Sequence, residues 1–174
     1  LRYLDVQNIL DKNDLILRES GCVGSENERG NTYMKKIGIV TDSHSSISQE
    51  EAEKLGIFVL PMPFYIDGEC FYESVTLSRE LFFEKLAAGA DITTSQPSPT
   101  AVMEIWDKAL EQFEKILYMP ISSGLSGSYE TAMMLAKDEA YEGRVLVVDD
   151  GQVAAPLHQM VLDTLDMIEK GYEA

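Results

Sequence analysis

The chain has 174 residues, enough for one ordinary domain with a sizeable core, and its 45% hydrophobic and 25% charged content excludes a disordered or fibrous polypeptide. Fourteen Lys and Arg against thirty Asp and Glu give a formal net charge of -16, a field that repels nucleic acid and anionic membrane surfaces. Cys22 and Cys70 follow neither a metal-ligand nor a disulfide-framework spacing, so both are expected as free thiols in a reducing cytoplasm; the apolar runs 57–61 and 116–121 are far shorter than the ~20 residues a membrane helix needs.

Residues 1–33 differ in character from the rest of the chain. A short amphipathic piece around Ile9, Leu10, Leu15, Ile16 and Leu17 runs into a polar stretch from Ser20 to Thr32, and the chain begins with Leu. Met34-Lys35-Lys36 followed by the apolar run 37–40 has the character of a natural start, so 1–33 are expected to be an extension from upstream sequence, with a helical segment packed on the domain as the alternative. Residues 34–174 form the domain proper.

From Met34 onward, short β-rich apolar runs alternate with helical patterns, which predicts an α/β fold with a mostly parallel sheet flanked by helices. The first strand is expected over 36–41. Ser48 and Glu51 form a capping-box pair for a helix through Leu55 that Gly56 ends, and a second strand is expected over 57–64. Asp67-Gly68, set between β-favouring residues, predicts a projecting β-hairpin. Ser78 caps a helix through Ala87, and 92–97 is expected as a loop.

Ser98 as N-cap and Pro99 at the first helical position start the clearest helix. Val102, Ile105, Trp106, Ala109, Leu110 and Phe113 fall on one stripe, which assigns Trp106 a structural role. A strand over 115–120 leads through a Ser-Gly turn, 122–128, into a helix expected to turn Tyr129, Ala132, Met133 and Ala136 to the core. A strand over 144–148 and a helix from Pro156 carrying Leu157, Val161, Leu165 and Ile168 complete the pattern.

Ligands of doubly wound sheets bind beyond the carboxyl ends of strands, where loops meet the first turns of helices. Two loops have that character here: Thr94-Ser95-Gln96-Pro97-Ser98, and Ser122-Ser123-Gly124-Leu125-Ser126-Gly127-Ser128. Both are rich in hydroxyls that suit a small anionic head beside free helix-end amides, and equally suit ordinary N-caps and turns. Lys85 and Lys108 bracket the first loop and Lys115 and Lys137 the second, with no Lys or Arg between, which favours a weakly charged group such as a carboxylate over a phosphate dianion.

These two loops, together with the opening strand Ile37-Gly38-Ile39-Val40-Thr41-Asp42-Ser43 and the stretch 145–151, resemble the DegV family over residues 34–174. The resemblance implies a DegV-like amino-terminal domain of a two-domain, cytoplasmic fatty-acid-binding protein, without catalysis or cofactor of its own. It further implies that a long-chain fatty acid such as palmitate is held by its carboxylate at Thr94 and Ser126, with Ser95, Ser122 and Ser123 as neighbours, and presented to a fatty-acid kinase that makes the acyl phosphate for phospholipid synthesis. A carboxyl-terminal domain of comparable size is expected to cover the ligand, beginning where this chain ends. At ~0.8 kcal/mol per buried CH₂, a sixteen-carbon tail gains roughly 10 kcal/mol, so the tail supplies most of the affinity and the head sets orientation.

Two rival classes compete with this expectation. Ser126, Asp149 or Asp150, and His158 stand in the order of an α/β-hydrolase triad, yet 124–128 lacks the second glycine of a nucleophile elbow and His158 falls inside a helical pattern. A phosphate- or phosphosugar-binding domain would use the same loops, against the lack of nearby Lys and Arg. His44 follows the first strand and could reach the cleft, although a solvent-facing turn is the commoner place for such a histidine. Two histidines without clustered carboxylates or thiolates argue against a metal site.

Overall fold

The computed structural model describes residues 35–72 and 76–172; the expectations for 1–33, Cys22 among them, lie outside the described residues. Strands β1 (Lys35–Asp42), β2 (Phe58–Leu60), β6 (Phe113–Met119) and β7 (Val145–Val147) form a parallel sheet in the order β2-β1-β6-β7. Helices α1 (Gln49–Leu55), α3 (Pro99–Leu110), α4 (Ser128–Leu135) and α5 (Ala155–Glu169) pack against it. The order reverses between β1 and β6, because the chain first steps from β1 to β2 on one side and later returns on the other. That gap is where the strand ends leave room for a ligand.

Alternation along the central strands divides the core in two. Val40, Ile116 and Tyr118 pack with Val102, Trp106 and Ala132 beneath α3 and α4. Ile37, Ile39, Leu117 and Met119 pack with Ala52, Leu157 and Val161 beneath α1 and α5. Trp106 is fully buried and meets Tyr118 and Tyr141 edge-on, with ring centroids 5.4 and 5.2 Å apart, so its role is structural as its helical spacing predicts.

A second, antiparallel sheet has the order β4-β3-β5, with β3 (Pro63–Ile66), β4 (Glu69–Tyr72) and β5 (Ile92–Thr94). The expected hairpin is its core: Asp67 (φ 51°) and Gly68 (φ 84°) both take positive φ, as a tight primed turn demands. Exposed Cys70 is a free thiol on β4. Helix α2 (Arg79–Ala87), capped by Ser78, joins the sheet's two ends.

Several elements depart from the sequence expectation. The strand expected over 57–64 is two strands in two sheets, broken at Pro61-Met62, because Pro61 has no N–H to donate to a ladder. Residues 92–94 are a strand rather than loop: the Asp67 amide donates to the Asp91 carbonyl at 2.8 Å and the Asp91 amide to Asp67 Oδ1 at 3.0 Å, clamping β5 alongside β3. Phe113 begins β6 instead of closing the α3 stripe. Met133 is 37% exposed, since α4 turns Tyr129, Ala132 and Leu135 toward α3 and leaves Met133 on the flank. Ser48 Oγ accepts from the Glu51 amide at 3.1 Å, but the Glu51 carboxylate faces His158 at 3.2 Å, so the carboxylate is engaged outside the capping pair.

Gly38 shows how closely β1 is packed: a Cβ there would lie 2.5 Å from the Phe113 ring. Gly38→Ala is expected to cost about 1–3 kcal/mol in urea unfolding, with part recovered in a Gly38→Ala, Phe113→Leu double variant. Equal loss in the single and double variants would show that the ring is not the obstacle.

Candidate functional site

Strand β1 ends on Asp42, a carboxylate with no solvent exposure. An unpaired buried charge is costly, and Asp42 meets that demand by gathering donors from separate elements. Oδ1 accepts from the His44 amide at 2.9 Å, and Oδ2 accepts from the Ile121 amide at 2.8 Å, just beyond β6. The Ser45 hydroxyl donates to the Asp42 carbonyl at 2.8 Å, closing a 3-10 turn over Ser43–Ser45. Ser43 Oγ accepts from the Met62 amide at 3.1 Å, so the same turn also holds the link between the two sheets.

Above this turn lies a cavity of about 540 Å³, within the size range of small-molecule sites. Its walls come from the 3-10 turn, the start of α1, the β2–β3 link, α2 and β5. Ile47, Met62, Phe64, Phe82, Phe83 and Ile92 supply apolar surface, while Ser43, Ser46, Ser48, His44 and Thr94 supply polar groups. His44 therefore lines the cavity, contrary to the solvent-facing expectation, and its side chain is 36% exposed. Its Nδ1 sits 3.4 Å from Asp42 Oδ1.

Thr94 is the last residue of β5, paired in register with Phe64, and lines the cavity. Ser95 is exposed and donates to the Gln96 carbonyl at 3.1 Å. Ser122, Ser123 and Ser126 lie in the turn after β6, outside the cavity lining. Ser122 Oγ accepts from the Gly124 amide at 3.2 Å, and Ser126 Oγ accepts from the Ser128 amide at 3.2 Å while pairing with the Ser128 hydroxyl at 2.8 Å. The two loops meet at Gln96, whose Nε2 donates to Thr131 Oγ1 at 3.4 Å. Gly127 permits this approach: a Cβ there would stand 2.8 Å from Gln96 Oε1.

Ser123 is engaged elsewhere. Its hydroxyl donates to Asp149 Oδ2 and its amide to Asp149 Oδ1 at 3.3 Å. Burial pushes the Asp149 carboxyl up, but the hydrogen bonds from the Ser123 hydroxyl and amide and from the Gly151 amide outweigh it and hold the group below the usual carboxylate range. Burial raises neighbouring Asp150, with the charges of Asp149 and Asp42 adding to it. The hydrolase arrangement is not assembled: Ser126 pairs with Ser128, and His158 Nε2 lies 3.2 Å from Glu51 Oε1.

Sequence reasoning passed over Asp42 and the Asp149–Ser123 link. A signal was present for the first, since a carboxylate closing an apolar strand must either reach solvent or find donors. The second joins residues 26 positions apart and has no local signature.

The structure is that of an α/β domain: an open parallel sheet with hydroxyl-bearing loops at its switch point and a mainly apolar cavity beside them. Residues 36–174 match the family model described as "Uncharacterised protein, DegV family", and the chain belongs to the DegV family. It is 33% identical over 138 residues to a DegV domain-containing protein of Caldanaerobacter subterraneus, covering 79% of this chain and 49% of that one. A DegV domain-containing protein of Deinococcus radiodurans is 35% identical over 136 residues, covering 78% and 48%.

Among solved structures, a fatty-acid-binding DegV family protein of Thermus thermophilus superposes with a TM-score of 0.72 at 32% identity, covering 79% of this chain and 49% of that one. A Thermotoga maritima protein described as revealing a fatty acid binding function superposes at 0.70 with 26% identity, covering 80% and 51%. The chain thus spans about half the length of these relatives. Among the described residues, no helix is long and apolar enough to cross a membrane.

The Ser123–Asp149 pair yields a pH prediction. A carboxyl held down in the fold stabilises it above the unfolded value of ~3.9 and loses that contribution as pH falls through the folded value. Ser123→Ala is expected to cost about 1–2 kcal/mol at neutral pH, with the gap to the parent closing in acid. A gap of constant size across a urea-unfolding series from neutral pH into acid would contradict this.

Proposed function

We propose that this chain binds a long-chain fatty acid, with the tail in the apolar cavity and the carboxylate at its hydroxyl-lined mouth. The observation that carries the reading is the cavity itself: six apolar side chains and Thr94 share one wall system at the carboxyl edge of the sheet. Thr94, which lines the cavity, is the first candidate for the head group, with Ser95, the next residue in the chain, and Ser126, in the turn after β6, as further candidates outside the lining. Ser123 ranks lowest, because its hydroxyl donates to the Asp149 carboxylate; Ser122 stands with Ser95 and Ser126, each with a local hydrogen bond of its own. Similarity to solved family members that bind fatty acids supports the same ligand class.

The role is that of a carrier, without chemistry of its own. Tail burial supplies affinity at ~0.8 kcal/mol per CH₂, while hydroxyls and amides hold the carboxylate end outward for a second protein. In the cytoplasm, that second protein is a fatty-acid kinase forming the acyl phosphate for lipid synthesis. Half of the ligand's enclosure comes from the part of the longer relatives that this chain does not span, so palmitate binds residues 34–174 alone only weakly. A phosphosugar is disfavoured, since among the described residues no Lys or Arg lines the cavity to neutralise a dianion.

Thr94→Val, which keeps shape and removes the hydroxyl, is expected to weaken palmitate binding about tenfold while leaving thermal unfolding near that of the parent. Displacement of a fluorescent fatty acid measures the first and calorimetry the second. Undiminished binding would remove Thr94 from the site, and mass spectrometry finding a phosphosugar rather than a fatty acid in the purified protein would replace the ligand class.

A further inference from the structure

Resting on the lipid-binding reading, we propose that helix α2 is a lid over the cavity, seated by the hydrocarbon of the bound acyl chain rather than by a core of its own. A helix of a folded domain is ordinarily anchored by an apolar stripe turned inward. Helices α1, α3, α4 and α5 follow that rule, with Ala52, Trp106, Ala132 and Leu157 among their buried residues. In α2, none of residues 80–87 is buried, although Leu81, Phe82, Phe83 and Leu86 are all apolar.

The flanks of α2 are fixed where the helix itself is not. Before it, Leu77 is buried and lines the cavity, and Ser78 Oγ accepts from the Leu81 amide at 3.3 Å. After it, Asp91 is clamped to Asp67 by hydrogen bonds of 2.8 and 3.0 Å. Ala88, Gly89 and Ala90 stand between the helix end and that clamp, where Gly89 takes φ 82° and a Cβ would meet nothing within 4 Å. A short span with fixed flanks, and a glycine in open space at one end, can swing without disturbing the sheets.

The contacts that seat α2 point to what closes it. Phe82 meets Phe64 edge-on, with ring centroids 5.6 Å apart, and Lys85 Nζ stands 5.9 Å from the centroid of the Phe71 ring. Phe82 and Phe83 line the cavity, as do Phe64 and Ile92 of the antiparallel sheet. Hydrocarbon in the cavity therefore touches both α2 and that sheet, and adds to the Phe82–Phe64 contact the apolar burial that residues 80–87 are built without. Away from such support, the nine residues of α2 are too few to hold helical order in water. Tail burial and lid closure are thus one step, and a longer tail shuts the lid more firmly.

Backbone hydrogen exchange followed by NMR tests this with laurate and with acetate, the same head without the tail. In the free chain, the amides of residues 82–87 are expected to exchange at least about a hundredfold faster than those of α3. Laurate at about ten times its dissociation constant is expected to slow them about tenfold, the factor expected when it binds the closed form alone, whereas acetate at equal concentration leaves them unchanged. Phe82→Ala should weaken laurate about tenfold and cut the slowing to about twofold at that concentration, while Leu86→Gln, outside the cavity lining, should keep laurate affinity within about twofold of the parent. Laurate that shifts the Thr94 amide yet leaves α2 exchange unchanged would overturn the lid, as would α2 amides as slow as those of α3 in the free chain. Equal weakening by Phe82→Ala and Leu86→Gln would overturn it too, since that marks a helix packed from its outer side. If laurate shifts no amide of the cavity lining, the lipid-binding reading itself fails and the lid with it.

Discussion

The Asp42 carboxylate is the constraint on which the site is built. Charge without solvent is tolerated only when donors converge on it, and its partners belong to two different stretches of chain, the turn it opens and the residue just beyond β6. Satisfying Asp42 therefore draws the end of β1 and the end of β6 together at the point where the strand order reverses. The turn so formed then reaches, through Ser43, to Met62 and the second sheet. One buried charge thus ties the parallel sheet to the element that walls the cavity.

The cavity exists because two sheets of different kind share one chain segment. Helices cover both faces of the parallel sheet, which adds Val59 of β2 to the cavity lining, whereas the small antiparallel sheet adds Phe64 and Ile92. Helix α2 adds Phe82 and Phe83 to the wall and leaves Leu81 and Leu86 exposed. Apolar and polar lining are mixed along this wall: Phe64, Ile92 and Thr94 come from the second sheet, Phe82 and Phe83 from α2, and Ser43, His44 and Ser46 from the strand-end turn. The loops joined by Gln96 and Gly127 make the polar part continuous from β5 to α4.

Local signals carried much of this fold in the sequence. The α3 stripe, the Ser98-Pro99 start, the Asp67-Gly68 turn and the alternating strands each depend on residues within a few positions of one another, and each is present. What stayed hidden depends on distant partners. Nothing near residues 57–64 reveals that the run serves two sheets, apart from Pro61 itself. Three residues, Ile92 to Thr94, are too few to show a period, and their strand is imposed by Asp67 from across the turn. At the site, Thr94 lines the cavity while Ser126 does not, and the loops that carry them approach each other at Gln96 and Gly127. Ser123 was legible as a hydroxyl but not as one already bound, because Asp149 approaches it from β7's far end.

The two-sided core has a bearing on positional accuracy. With Ile39 facing α5 and Val40 facing α3, sliding β1 by a single step against β6 would turn each apolar side chain to the wrong layer and bring Gly38 out from under Phe113. Both layers resist that error independently, so the strand's terminus is indexed as if by a ratchet with teeth on either edge. The same slip would exchange Thr41, whose hydroxyl reaches the Met119 carbonyl at 2.8 Å, for Asp42. Greasy packing far from the ligand thereby decides, to within one residue, which side chain arrives at the rim.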